Sequence, residues 1–161
     1  MALSVGDALP EAALLMMGAN GPEGTSLQAR LKGRKVVLFG LPGAFTGTCT
    51  TSHVPSFIRT KDEFAAKGVD EIICVSVNDP FVMGAWGLST GATAAGIAML
   101  GDADGAWTKA IGMDFTVPPI GLFGRSQRYA LLAEDGIVKV LQVEVEDVCN
   151  LSTGEAMLAE I

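Results

Sequence analysis

The chain has 161 residues, 49% of them hydrophobic, enough for one domain with a substantial core and little left over for a second. With 11 Lys and Arg against 18 Asp and Glu, the net charge is −7, so the surface lacks the clustered cations that nucleic acid or an anionic membrane would need. The 3 cysteines form no CxxC pair and have 1 histidine to join them, which argues against structural zinc, and their odd number is unlike a secreted disulfide framework.

Cysteine usage therefore points to a reducing compartment, and the expected one is the cytosol. The first residues, Met1 to Asp7, show no basic stretch followed by an apolar one and no Arg/Ser bias, so no targeting segment is expected. No internal repeat or linker is visible, and residues 1–161 read as a single domain. The first clear core strand is Lys35 to Gly40, a continuous apolar run of the kind covered on both faces. From about Thr48 to Lys67, Val54, Phe57, Ile58, Phe64 and Ala65 follow helical spacing, and Glu71 to Asn78 is a second core strand, implying a parallel crossover. Asp79-Pro80 supplies an N-cap and a first-turn proline for a helix over Phe81 to Leu88. A short strand at Ile97 to Leu100 precedes a helix around Trp107 to Ile111. Arg128 to Leu132 and Ile137 to Val143, joined by Glu134-Asp135-Gly136, read as a hairpin. Ser152 and Glu155 stand in capping-box register for a closing helix over Ser152 to Glu160. The sum is an α/β chain with a central mixed sheet flanked by helices, about three of its strands parallel, with the topology of a thioredoxin-like fold.

The segment Pro42-Gly43-Ala44-Phe45-Thr46-Gly47-Thr48-Cys49 leaves the first strand and enters the first long helix. A cysteine at such a helix entrance meets unpaired backbone N–H groups and the positive end of the dipole, which favour the reactive thiolate. Thr46 and Thr48 put hydroxyls beside it, and Pro42 stiffens the loop. On these grounds alone Cys49 is either a nucleophile or a small core residue. His53, four residues on, would share a helical face with Cys49, which invites a cysteine-hydrolase reading with His53 as base.

Pro42, Thr46 and Cys49 resemble the Pro-x-x-x-Thr-x-x-Cys signature of peroxiredoxins. Val37 to Gly40, Ser52 to Pro55, Val75 to Met83 and Arg128-Tyr129-Ala130 extend the resemblance over essentially the whole chain, and to the type II, peroxiredoxin-5-like branch. Gly47 departs from it, standing where the branch commonly has proline. The resemblance implies a thiol peroxidase acting in antioxidant defence, with no cofactor or metal, that reduces hydrogen peroxide or alkyl hydroperoxides through a cysteine sulfenic acid. Cys49 would be the attacking residue, with Pro42 and Thr46 in its loop and Arg128 reaching it from a distant strand. Arg125 is the nearby alternative to Arg128. His53 would be a pocket-edge or packing residue.

Cys74, inside an apolar strand run, reads as core filling. Cys149 lies near the family's resolving cysteine but about two residues from its position, so it is a candidate resolving residue. An external thiol, glutathione with glutaredoxin or else thioredoxin, is the favoured donor. The resemblance also implies a homodimer through a surface containing Phe45 or Phe81. A thioredoxin-like binding or chaperone module without turnover is the reading from a different class.

Overall fold

The computed structural model describes residues 2–145 and 148–161; Met1 and the pair Glu146 and Asp147, part of the polar segment before the last helix, lie outside the described residues. The centre is the parallel trio β3 (Lys35–Gly40), β4 (Glu71–Ser76) and β5 (Ala98–Gly101). Val36 and Leu38 face one side of β3 while Val37 and Phe39 face the other, and all four are fully buried, so the sheet carries a hydrophobic layer on each face. Helices α2 (Val54–Ala66), α3 (Pro80–Thr90) and α5 (Gly154–Leu158) cover one layer, with Phe57, Phe64, Met83, Trp86 and Met157. The other layer receives Leu27 and Leu31 of α1 (Leu27–Leu31) and Trp107 of α4 (Ala106–Ala110).

With β1 (Ala13–Gly18), β2 (Gly21–Ser26), β8 (Tyr129–Glu134) and β9 (Ile137–Val143), the sheet among the described residues has seven strands in the order β2-β1-β5-β4-β3-β8-β9, β8 antiparallel to β3 and β9 antiparallel to β8. The mixed sheet, its three parallel strands and the flanking helices follow the expectation. The β8–β9 turn uses Asp135 at φ 50° and Gly136 at φ 76°, the paired left-handed conformation that a two-residue Asp-Gly hairpin demands. Asp79 caps α3 by accepting from the Val82 N–H at 2.9 Å, and Gly91 ends that helix at φ 82°.

Four strands were not anticipated. The hairpin of β1 (Ala13–Gly18) and β2 (Gly21–Ser26) extends the sheet. A separate ribbon of β6 (Asp114–Val117) and β7 (Leu122–Ser126) stands apart, joined by a 3-10 turn at Pro118–Ile120. Two helix starts also need correction. The helix expected from Thr48 opens as a π-helical turn, Cys49–His53, with α2 beginning at Val54. Pro55 follows at once and lacks the N–H that a continuous α-helix would use there. At α5 the cap is Thr153, whose hydroxyl accepts from the Ala156 N–H at 3.0 Å, because the Ser152 hydroxyl is donated to Glu144. Glu155 closes no capping box and instead pairs with Arg59 of α2 at 2.8 Å.

The antiparallel register sets Gly40 opposite Tyr129, and the buried Tyr129 ring lies against the bare glycine backbone. A Cβ at position 40 would collide with that ring, which is packed and has nowhere to go. Gly40→Ala is therefore expected to destabilise the chain by about 1–3 kcal/mol. Urea unfolding with an unchanged m value is the measurement.

Candidate active site

The loop from Leu41 to Thr48 leaves the C-terminal end of β3 and is tied down on several sides. The Ala44 N–H donates to Asn78 Oδ1 at 3.0 Å, and that amide oxygen also accepts the Ser76 hydroxyl at 2.6 Å. Phe45 takes a left-handed φ of 63°, rare for a residue with a side chain, and this turns the chain so that Thr46 folds back on Gly43. On the far side, Trp86 Nε1 of α3 donates to the Thr50 hydroxyl at 3.1 Å, fixing the π-helical turn to the core.

Cys49 opens that turn and is fully buried. Because Tyr129 pairs with Gly40, the residue before it stands just where β3 gives way to the cysteine loop. That residue is Arg128. It is 5% exposed, and its Nη2–H donates to Cys49 Sγ at 3.3 Å. Arg125, the alternative, reaches Pro42 O at 3.4 Å from β7 and does not contact the sulfur.

The second arm of the Arg128 fork, Nη1, lies 3.2 Å from His53 Nδ1, while His53 Nε2 lies 2.9 Å from Ser152 O. A carbonyl can only accept and a guanidinium can only donate, so Nε2 carries the hydrogen and Nδ1 presents its lone pair to Arg128. Burial, and after it the Arg128 charge, push the imidazole pKa down to about 3, against a smaller opposing effect of the Ser152 carbonyl. His53 is thus neutral at physiological pH, with both ring nitrogens engaged away from Cys49. The hydrolase reading, which needs a His53 base on the sulfur, is corrected by this geometry.

The Thr46 hydroxyl donates to Gly43 O at 2.8 Å instead of to sulfur, which leaves its lone pairs as acceptors. Pro42, Thr46, Gly47, Thr48 and Arg128 line one side of a cleft of about 720 Å³. Its opposite wall, missed in the sequence, is the β6–β7 ribbon with Phe115, Val117, Ile120 and Leu122. Glu144, at the end of the cleft, was also missed; the one signal available was an acidic residue directly after the apolar run of β9. Thr46 and Arg128 thus line the opening, and Arg128 Nη2 reaches from it to the fully buried Cys49 sulfur.

Cys74 sits mid-strand in β4, buried in the same layer as Cys49, and burial followed by the proximity of Cys49 holds its thiol well above the usual range. Cys149 is half-buried, and burial raises its thiol pKa despite the opposing charge of Arg128. Among the described residues no group of three or more His, Cys, Asp or Glu is placed to hold a metal ion, and no helix is long and apolar enough to cross a membrane.

A buried neutral imidazole links stability to pH. The unfolded chain takes up a proton at His53 near pH 6.5, whereas the folded chain does so near 3, so the unfolded state binds more protons in between. The stability contributed is complete above pH 6.5 and falls progressively down to about 3. Between pH 7 and 5 this one residue should cost the native chain about 2 kcal/mol. His53→Asn, which cannot titrate, should lose that much less over the same interval, as read by urea unfolding at the two pH values.

Residues 4–158 match the family model described as Redoxin. The chain is 49% identical over 160 residues to peroxiredoxin-2E-2, chloroplastic, of Oryza sativa subsp. japonica, covering 97% of this chain and 71% of that protein. It is 41% identical over 160 residues to peroxiredoxin-2E, chloroplastic, of Arabidopsis thaliana, covering 97% and 68%. The structure of reduced Prx3 from Vibrio vulnificus in complex with H2O2 superposes with a TM-score of 0.90 at 42% identity, covering 98% of each chain, and carries the thioredoxin-like fold expectation. The expectation of a cytosolic address is overturned, since both plant relatives are chloroplastic. Cysteine usage reports a reducing environment, and that condition does not single out the cytosol. The chain belongs to the redoxin family, in its type II peroxiredoxin branch, and is a thiol peroxidase, an oxidoreductase acting on peroxides.

Proposed function

We propose that residues 1–161 form one catalytic domain that reduces hydrogen peroxide and alkyl hydroperoxides through a sulfenic acid on Cys49. The observation that carries this reading is the Arg128 Nη2–H directed at Cys49 Sγ at 3.3 Å beside an open cleft. The Cys49 thiolate attacks the nearer peroxide oxygen, an S–O bond forms as the O–O bond breaks, and the leaving oxygen takes a proton and departs as water or alcohol. Arg128 steadies the sulfur and the oxygen on which charge develops. Thr46, with its own hydrogen given to Gly43, accepts from the peroxide hydroxyl. Pro42 walls the entrance, and the apolar ribbon opposite suits the carbon end of an alkyl hydroperoxide.

Recycling requires a second thiol, which condenses with the sulfenic acid to a disulfide and water. An external donor, glutathione with glutaredoxin or else thioredoxin, fits best. Cys74 is sealed in the sheet, and Cys149 has its thiolate suppressed by burial. The backbone just after Cys149 is also pinned, since the N–H groups of Asn150, Leu151 and Ser152 all bond to Glu144. Phe45 and Phe81, both exposed near the cysteine loop and the start of α3, support association of two copies across this face.

Cys49→Ser should abolish peroxide reduction without unfolding the chain, and activity above a few per cent of wild type would sink the assignment. Arg128→Met should slow Cys49 oxidation by about 10- to 100-fold in stopped flow. For resolution, Cys149→Ser is expected to keep full turnover with glutathione plus glutaredoxin. Loss of turnover with every donor would make Cys149 the resolving cysteine, and mass spectrometry after one equivalent of peroxide reports which thiols are consumed.

A further inference from the structure

Glu144 follows the last residue of β9, is 7% exposed, and has no part in the chemistry above. Its backbone N–H donates to Arg128 O at 2.9 Å, so the two residues are neighbours across the strand ends. Its side chain reaches residues 150–152. A single carboxylate oxygen, Oε1, accepts the N–H groups of Asn150 at 2.7 Å, Leu151 at 2.6 Å and Ser152 at 2.8 Å, together with the Ser152 hydroxyl at 3.0 Å. Four donors converging on one buried carboxylate oxygen are charge-assisted bonds that fix a peptide segment firmly.

The fixed segment has a specific consequence. It sets the Ser152 carbonyl against His53 Nε2, and an acceptor there demands the hydrogen on Nε2. The lone pair is then on Nδ1, where Arg128 Nη1 needs an acceptor. Without the carbonyl, the ring could carry its hydrogen on Nδ1 and set N–H against N–H. Because the guanidinium is planar and rigid, a displaced Nη1 also displaces the Nη2 that faces Cys49.

We propose that Glu144 is a positioning residue of the peroxidase site: by pinning residues 150–152 it selects the Nε2–H tautomer of His53, and through it holds Arg128 on Cys49. The inference rests on the roles given above to Cys49 and Arg128. It assigns function to a carboxylate about which the cysteine-loop motif is silent.

Two measurements test it. His53 is the single histidine of the sequence, so its ring nitrogens can be followed by nitrogen NMR without assignment. Wild type should show one Nε2–H tautomer, and Glu144→Ala a mixture of tautomers. In stopped flow, Glu144→Ala should slow Cys49 oxidation by hydrogen peroxide about tenfold, the scale of a misplaced catalytic group. The same substitution on an Arg128→Met background should change the rate less than about twofold, because the group it positions is gone. Should Glu144→Ala fail to fold, Glu144→Gln, which keeps an acceptor but not its charge, carries both measurements, with an expected loss of about threefold. An unchanged tautomer overturns the proposal, as does a rate loss undiminished without Arg128. If instead wild-type Cys49 is inert to peroxide, or Arg128→Met oxidises as fast as wild type, the reading of the site falls and the proposal with it. Normal wild-type and Arg128→Met behaviour alongside either of the first two results overturns the Glu144 role alone.

Discussion

A guanidinium is a planar fork, and a contact made by one of its outer nitrogens dictates where the other can be. In this chain one arm of Arg128 meets His53 and the other meets Cys49, so the position of a single buried cation organises the site. That position is itself a matter of strand register. Gly40 lies opposite Tyr129, which places Arg128 at the point where β3 becomes the cysteine loop. A slip of one residue would turn Arg128 to the other face of the sheet and present the wrong alternation of Val36, Val37, Leu38 and Phe39 to the two layers. The register is held by those four buried residues and by the tight Asp135-Gly136 turn that fixes β8 against β9.

Burying a cation away from water is tolerated when its donors find partners, and the partners here are chosen with regard to charge. His53 meets Arg128 at 3.2 Å as a neutral acceptor, since an imidazolium there would place two positive groups in contact. The surrounding residues act as a chain of directed donors and acceptors: Glu144 on the backbone of 150–152, the Ser152 carbonyl on His53, and His53 on Arg128. Residues 150–152 and the turn that Cys49 opens are thereby parts of one hydrogen-bonded unit, although they are far apart in sequence.

The central strands were legible because Lys35 to Gly40 and Glu71 to Ser76 carry short continuous apolar runs rich in Val and Ile, which suit a covered strand. Asp79-Pro80 and Asp135-Gly136 were equally plain, as local chemistry decides their backbone. β1 was not, because Ala13-Leu14-Leu15-Met16-Met17 consists of good helix formers that pairing with β5 and β2 holds extended. β2 was hidden by two glycines and a proline. The choice of Thr153 over Ser152 as the cap of α5 could not be read locally, since Glu144, eight residues away from Ser152, takes the competing hydroxyl. In the site, position at a helix entrance left Cys49 open between nucleophile and core residue, and resemblance to a family singled out both it and Arg128; His53, expected as a pocket-edge or packing residue, is buried and lies 3.2 Å from Arg128. The π-helical turn removes the shared face that invited a base role for His53: helical spacing of four does not give the same facing when the turn holds an extra residue.

The outer borders of the sheet have a bearing on how the molecule coexists with its neighbours at high concentration. An open strand border is a template for adding strands from other chains. The N-terminal segment closes part of one border, with Gly6, Asp7 and Leu9 exchanging backbone hydrogen bonds with Gly136 and Val138 at the start of β9. At the opposite border, β2 reads Gly-Pro-Glu-Gly-Thr-Ser, where Pro22 has no N–H to offer and Glu23 brings charge to an apolar-poor ribbon. Strand addition by neighbouring molecules is thereby disfavoured at both borders of the seven-stranded sheet.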